Sequence, residues 1–293
     1  MAAQTSPLPA RCLAEAVGTF LLVFFGCGAV HVAILTGNLA GLWQVAVVWA
    51  VAIMVATYVV GGVSGAHINP AITLALAVWG RFAWRDVVFY AAFQFVGAFA
   101  AAAMLFFLFG SFLAEKEAVK HVVRGQPGSE ITAMCYGEYF PDPGRMAGGT
   151  EAYKREDHER LNTLVSEPVA CVAEALGTMV LALVVFAVTD PRNTAAPAGR
   201  LAPVFIGLTV AALIAVIAPL TQACFNPARD FGPRVFAAFA GWGPIALPGP
   251  RGAGTFTVYL FSPIVGALLG GGFYRHLVQP ALPAPAEEGD PES

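Results

Sequence analysis

A chain of 293 residues has room for two soluble domains, but 57% of these residues are hydrophobic, only 12% are charged, and the mean hydropathy is +0.68. That composition excludes an ordinary water-soluble domain and makes lipid the expected solvent. The net charge of −3 owes something to Glu287, Glu288, Asp290 and Glu292 in a Pro/Ala-rich tail, and no nucleic-acid partner is expected.

In chain order, six stretches reach the roughly 20 apolar residues that a helix needs to cross a bilayer. They lie at about 12–35, 43–63, 87–109, 168–189, 201–219 and 254–274. The first is too long for the apolar part of a signal peptide and carries Glu15, so it is expected to be a retained span. Strands of a membrane barrel would be about half as long and would alternate in polarity, so the expected class is all-α.

Two further apolar stretches are too short to cross. Ile72 to Gly80 follows Asn69-Pro70-Ala71, and Phe231 to Trp242, interrupted by Arg234, follows Asn226-Pro227-Ala228. Pro suits the first helical position, where its missing N–H would have had no partner, and Asn can cap the helix through its side-chain oxygen. Each triplet therefore predicts a re-entrant half-helix.

The two halves repeat one another. Ala14-Glu15-Ala16-Val17-Gly18-Thr19 recurs 159 residues later as Ala173-Glu174-Ala175-Leu176-Gly177-Thr178, and the triplets recur 157 residues apart. Each copy holds three spans, an odd number, so the second must be inverted relative to the first, with the working site at their interface near the midplane. The expected organisation is a first repeat over 1–113, an extracellular loop over 114–166, a second repeat over 167–277 and a disordered cytoplasmic tail over 278–293. Arg11, Arg81, Arg85, Arg192, Arg200 and Arg275 fall on one side of six alternating spans, which places both termini in the cytoplasm.

Two half-helices entering from opposite faces bring two positive dipole ends and the amides of Asn69 and Asn226 to one level, the predicted pore midpoint. Irregular backbone at membrane depth is tolerated where it lines a cavity, so Gly65, Ala66 and His67, with Gln222, Ala223 and Cys224, are expected to present a ladder of carbonyls. Glu15 and Glu174 are costly in a span. Their mirrored placement predicts that each accepts hydrogen bonds from its own re-entrant loop, while Asp230 is expected to support its half-helix beside Arg234. His67 is read as a structural histidine, and Gly266 with Gly270 as a close helix contact. Cys224 could make the channel sensitive to mercurials. The five cysteines have no metal or disulfide spacing, and no metal, cofactor or catalytic set is expected. An ion-coupled transporter is the rival reading, but it would place carboxylates at the midplane where this sequence has two neutral asparagines.

With Ser64-Gly65-Ala66-His67-Ile68-Asn69-Pro70-Ala71 and Phe225-Asn226-Pro227-Ala228-Arg229-Asp230-Phe231-Gly232-Pro233-Arg234 in place, the chain resembles the major intrinsic protein family of aquaporins and glycerol facilitators over about 8–277. Asp230 after Arg229, Trp49 in the second span and the long central loop resemble the glycerol-conducting branch. The resemblance implies a channel for glycerol and water in the plasma or inner membrane, a homotetramer, and a selectivity constriction of Trp49, Ile214, Ala223 and Arg229. Ile214 and Ala223 stand where glycerol facilitators usually carry a glycine and an aromatic. In that respect the set is similar to nodulin-like members that also pass metalloids or urea.

Overall fold

The computed structural model describes residues 6–39, 41–197 and 199–283; residues 284–293, most of the expected tail, lie outside it. The regular structure is all helical, with no strand among the described residues. The principal helices are α1 (Leu8–Thr36), α2 (Leu42–Ser64), α3 (Pro70–Val78), α4 (Trp84–Lys120), α5 (Glu130–Ala133), α6 (Gly144–Ala147), α7 (Arg155–Asn162), α8 (Glu167–Val188), α9 (Ala202–Thr221), α10 (Pro227–Ala237), α11 (Gly254–Phe256) and α12 (Ser262–Phe273). A π-helical turn joins α11 to α12 within one apolar rod, Gly254–Ala281. Six rods are long and apolar enough to cross a membrane: α1, α2, α4, α8, Gly199–Thr221 and Gly254–Ala281. At 9 and 11 residues, or roughly 1.5 Å per residue, α3 and α10 are too short.

Large apolar side chains such as Phe107, Val172 and Val216 point away from the bundle. Their exposure fits a lipid solvent, in which helices gain little from hiding apolar groups and associate instead through close packing. Small residues permit that packing. A Cβ on Gly97 of α4 would lie 2.0 Å from the carbonyl oxygen of Ala16 in α1, and one on Gly266 of α12 would lie 2.1 Å from that of Ala175 in α8. Ala16 and Ala175 are partners in the sequence repeat, so the same backbone contact is built twice. Gly270 makes a third such contact, against the Met179 carbonyl.

The third span differs in length from its hydropathy. The apolar run ends near 109, yet α4 continues to Lys120. Its last turns carry Glu117, whose carboxylate takes two hydrogen bonds of 3.0 Å from Arg124, and Lys120, which donates to the Gly148 carbonyl at 2.5 Å. The extension anchors the segment 121–166. That segment holds α5, α6 and α7 and turns inward, burying Ile131, Met134, Cys135, Tyr136 and Tyr139 together with Trp242. Trp242 donates its indole N–H to Thr132 at 3.1 Å.

Within this segment the Asp142 carboxylate accepts the Gly144 N–H at 2.7 Å, and burial pushes its pKa up to about 6. An acid held above its ordinary value contributes stability at low pH that is lost as pH rises through the folded pKa, here from about 4 to about 6. Asp142→Asn keeps the acceptor and removes the charge. It should raise the thermal midpoint by several degrees at pH 8, equivalent to about 2 kcal/mol, and by less at pH 5. Melting curves of both proteins at the two pH values check this.

Candidate functional site

Each half-helix begins at its asparagine. Asn69 accepts the Ala71 N–H at 2.9 Å, and Asn226 accepts those of Ala228 and Arg229 at 3.1 and 3.3 Å. Pro70 and Pro227 follow at the first helical position. The two side-chain amides then cross: Asn69 Nδ2 donates to the Phe225 carbonyl and Asn226 Nδ2 to the Ile68 carbonyl, both at 2.8 Å. An Asn amide carries two N–H bonds. One is spent on this exchange, which locks α3 against α10, and the other has no protein acceptor among the described residues.

A cavity of about 540 Å³ runs past both asparagines. It reaches Trp49, Ile214, Ala223 and Arg229, and extends to Thr189, Gly199 and Arg200 around the turn between α8 and α9. Tyr58, also in its wall, donates to the Arg200 carbonyl at 2.6 Å.

Two short irregular segments carry backbone along this cavity. Gly65 (φ 86°), Ala66 (49°) and Ile68 (42°) precede the first triplet, and Gln222 (61°), Ala223 (62°) and Phe225 (54°) precede the second. Left-handed backbone at five residues other than glycine is strained and needs external support. The two buried glutamates supply it. Glu15 accepts the N–H of His67 at 2.9 Å and of Ile68 at 2.7 Å, with the Ser64 hydroxyl at 2.6 Å and the Gln94 amide at 2.7 Å. Glu174 accepts the N–H of Cys224 at 2.9 Å and of Phe225 at 2.8 Å, with the Thr221 hydroxyl at 2.6 Å. Tyr90 and Tyr259 cap the carbonyls of Ser64 and Thr221. With the N–H groups turned into the protein, the carbonyls turn the other way. Among the described residues, those of Gly65, Ala66, His67, Gln222, Ala223 and Cys224 accept no hydrogen bond from a backbone or side-chain donor.

Five of these six residues line the cavity, and Gln222 does not. Its side chain is drawn aside, accepting the Tyr139 N–H at 2.8 Å and facing the Met134 carbonyl. His67 is enclosed, with Nδ1 3.3 Å from the Thr73 hydroxyl and its ring against Phe82 and Tyr90. The Cys224 thiol lies 3.3 Å from the Asn226 carbonyl and is 5% exposed.

At one end of the cavity the Arg229 guanidinium lies 4.5 Å from the Trp49 ring centre. A Cβ on Gly26 would stand 2.3 Å from that ring, so only glycine leaves Trp49 its place. Arg229 donates to the Tyr136 carbonyl at 3.4 Å and forms an ion pair with Glu138. Asp230 faces away from the cavity. It holds Arg234 through two hydrogen bonds of 2.9 Å and takes the Glu138 N–H at 2.6 Å. Glu138 escapes the sequence reasoning, although it is the one charged residue in the run 131–141, which is otherwise apolar or aromatic except for Thr132. Gln94, inside a long apolar helix, is a second polar residue that the repeat does not reveal.

The family described as major intrinsic protein matches residues 2–274. A glycerol uptake facilitator protein of Pseudomonas aeruginosa is 40% identical over 99% of this chain and 97% of that protein. The glycerol uptake facilitator of Escherichia coli K12 is 40% identical over 96% of this chain and 92% of that protein, and a propanediol uptake facilitator of Citrobacter freundii is 37% identical over 94% of this chain and 94% of that protein. Among solved structures, the aquaglyceroporin of Plasmodium falciparum superimposes with a TM-score of 0.77 at 22% identity, covering 94% of this chain and 98% of that one.

Proposed function

Since the chain belongs to the major intrinsic protein family, we propose that it is a passive transmembrane channel for small uncharged solutes, glycerol first and water with it. The observation that carries this reading is the crossed pair of Asn69 and Asn226 inside a continuous cavity, each with one N–H left over. A polyol entering at Trp49 lays its carbon chain on the indole while Arg229 donates to its hydroxyls. Beyond, the carbonyls of Ala223 and Cys224 and those at 65–67 accept hydrogen bonds from its hydroxyls, and the two asparagines donate to an oxygen at the midpoint. The solute exchanges its water shell for fixed partners at every level. Ile214 and Ala223 set the remaining width of the neck, with Arg229 held by neighbouring groups.

Ions fail on the same route. Two half-helix N-termini, each equivalent to roughly half a positive charge, converge where little water screens them, so a cation meets its highest barrier at the asparagines. The carboxylates of Glu15 and Glu174 are fully buried and occupied by donors, which suits scaffolding and not ion coupling. The chemistry needed is transport without catalysis. The repeat boundaries, both termini in the cytoplasm, the loop 114–166 outside, residence in the plasma or inner membrane and a homotetramer complete the proposal.

Stopped-flow light scattering on proteoliposomes tests it. Glycerol and water should both cross at least about tenfold faster than in empty liposomes; glycerol flux no faster than that control, with water accelerated, would remove glycerol from the assignment.

A further inference from the structure

Arg229 is not a free cation. On one side it meets the Trp49 ring, and on the other the carboxylate of Glu138, which is 1% exposed and whose oxygens have no other partner among the described residues. The segment that delivers Glu138 is held from behind. Its N–H donates to Asp230, its carbonyl accepts from Arg234, and Arg234 also donates to the Ala246 carbonyl at 2.8 Å. Gly137 is required for this clamp, because a Cβ there would lie 2.9 Å from the Arg234 guanidinium carbon. Two acids and two arginines thus occupy one buried block, with no net charge.

We propose that Glu138 is a specificity-determining residue whose carboxylate cancels the charge of Arg229 and so keeps anions out of the channel. The proposal rests on Arg229 and Trp49 forming the neck. The midpoint is positive because two helix ends converge there, which opposes cations and attracts anions. An unpaired arginine at the neck would add a second positive station ahead of the first, and successive stations of one sign in a low-dielectric passage concentrate the opposite ion. With Glu138 paired, the neck is neutral and an anion gains nothing there to offset its dehydration. Burial holds the Glu138 carboxyl above its ordinary value, and the charge of Arg229 works against that shift. The direct pair is the arrangement in which both side chains can be buried charged. Arg229 keeps its position and its remaining donors for hydroxyls, so the neck sorts neutral solutes by fit and hydrogen bonding. The exclusion of cations falls to the asparagine-capped helix ends.

The test uses proteoliposomes of the full chain with two readouts, glycerol flux by light scattering and chloride entry by quenching of an entrapped fluorophore. Glu138→Gln should pass glycerol within about threefold of the native rate and admit chloride at least about tenfold faster, the bias expected of an unpaired charge a few ångströms from the path. Glu138→Asp should stay as tight to chloride as the native chain, and Glu138→Gln combined with Arg229→Gln should be tight again. If Glu138→Gln conducts glycerol and excludes chloride as the native protein does, the proposal is overturned. Loss of glycerol flux in both Glu138→Gln and Glu138→Ala would assign the residue to folding and overturn it equally. A separate variant guards the premise: Trp49→Ala should admit polyols longer than glycerol. An unchanged size limit there would remove the neck assignment itself, whereas a raised limit with a chloride-tight Glu138→Gln would remove only the role of Glu138.

Discussion

Glu15→Ala and Glu174→Ala should each abolish glycerol flux, with little or no folded protein recovered by size-exclusion chromatography in detergent. Removing Glu15 strands the N–H groups of His67 and Ile68 and takes one acceptor from Ser64 and from Gln94, which still has Thr73 to donate to. Removing Glu174 strands those of Cys224 and Phe225 and frees Thr221. A buried donor left without a partner costs about 1–3 kcal/mol, so two or three of them amount to a large share of the roughly 5–15 kcal/mol by which a native protein is stable. The cost falls on segments already strained, since Ala66, Ile68, Ala223 and Phe225 hold left-handed backbone that the carboxylates stabilise. Gln at either position should do less harm, because its carbonyl oxygen can still take one or two donors while its NH2 faces the others unfavourably. A Glu15→Ala channel with native flux would show that the loop holds its shape unaided.

The same contacts explain why so much of the site was legible in the sequence. A glutamate inside an apolar span is conspicuous, and finding it twice, at matching distances from the two triplets, restricted what it could be doing. The half-helices were visible because Asn-Pro is a helix-start signal and Arg81 and Arg234 close the apolar runs too early for a span. Features without a repeated partner were missed. The last turns of α4 carry Glu115, Lys116, Glu117 and Lys120, which end the hydropathy signal without ending the helix, and segment 121–166 gives Lys116, Glu117 and Lys120 partners. The Gln222 side chain binds Tyr139 and Met134, which only the folded loop reveals. Glu138 lies 91 residues from Arg229 in sequence, and no local pattern links them.

Asn69→Asp should convert a channel tight to cations into one that leaks them, with glycerol flux reduced and still measurable. The substitution keeps an oxygen to cap α3 through the Ala71 N–H and replaces a neutral donor with a negative charge at the level where the two helix ends meet. Two half-charges of positive sign there amount to about one elementary charge, so a single carboxylate is enough to cancel the barrier. At an effective dielectric of about 20, one charge at about 4 Å is worth about 4 kcal/mol, which corresponds to roughly a thousandfold change in cation permeability. The lost donor accounts for the lower glycerol flux, because the Phe225 carbonyl no longer receives the Asn69 amide and the local fit loosens. Acid supplies an internal control. Once protonated, the introduced carboxyl is again neutral and again a donor to the Phe225 carbonyl, so the sodium leak should shrink as pH is lowered while glycerol flux recovers. Sodium flux into proteoliposomes measured from pH 8 to pH 4 reads both effects, and a cation permeability equal to that of the native chain at pH 8 would place the exclusion barrier somewhere other than the crossed asparagines.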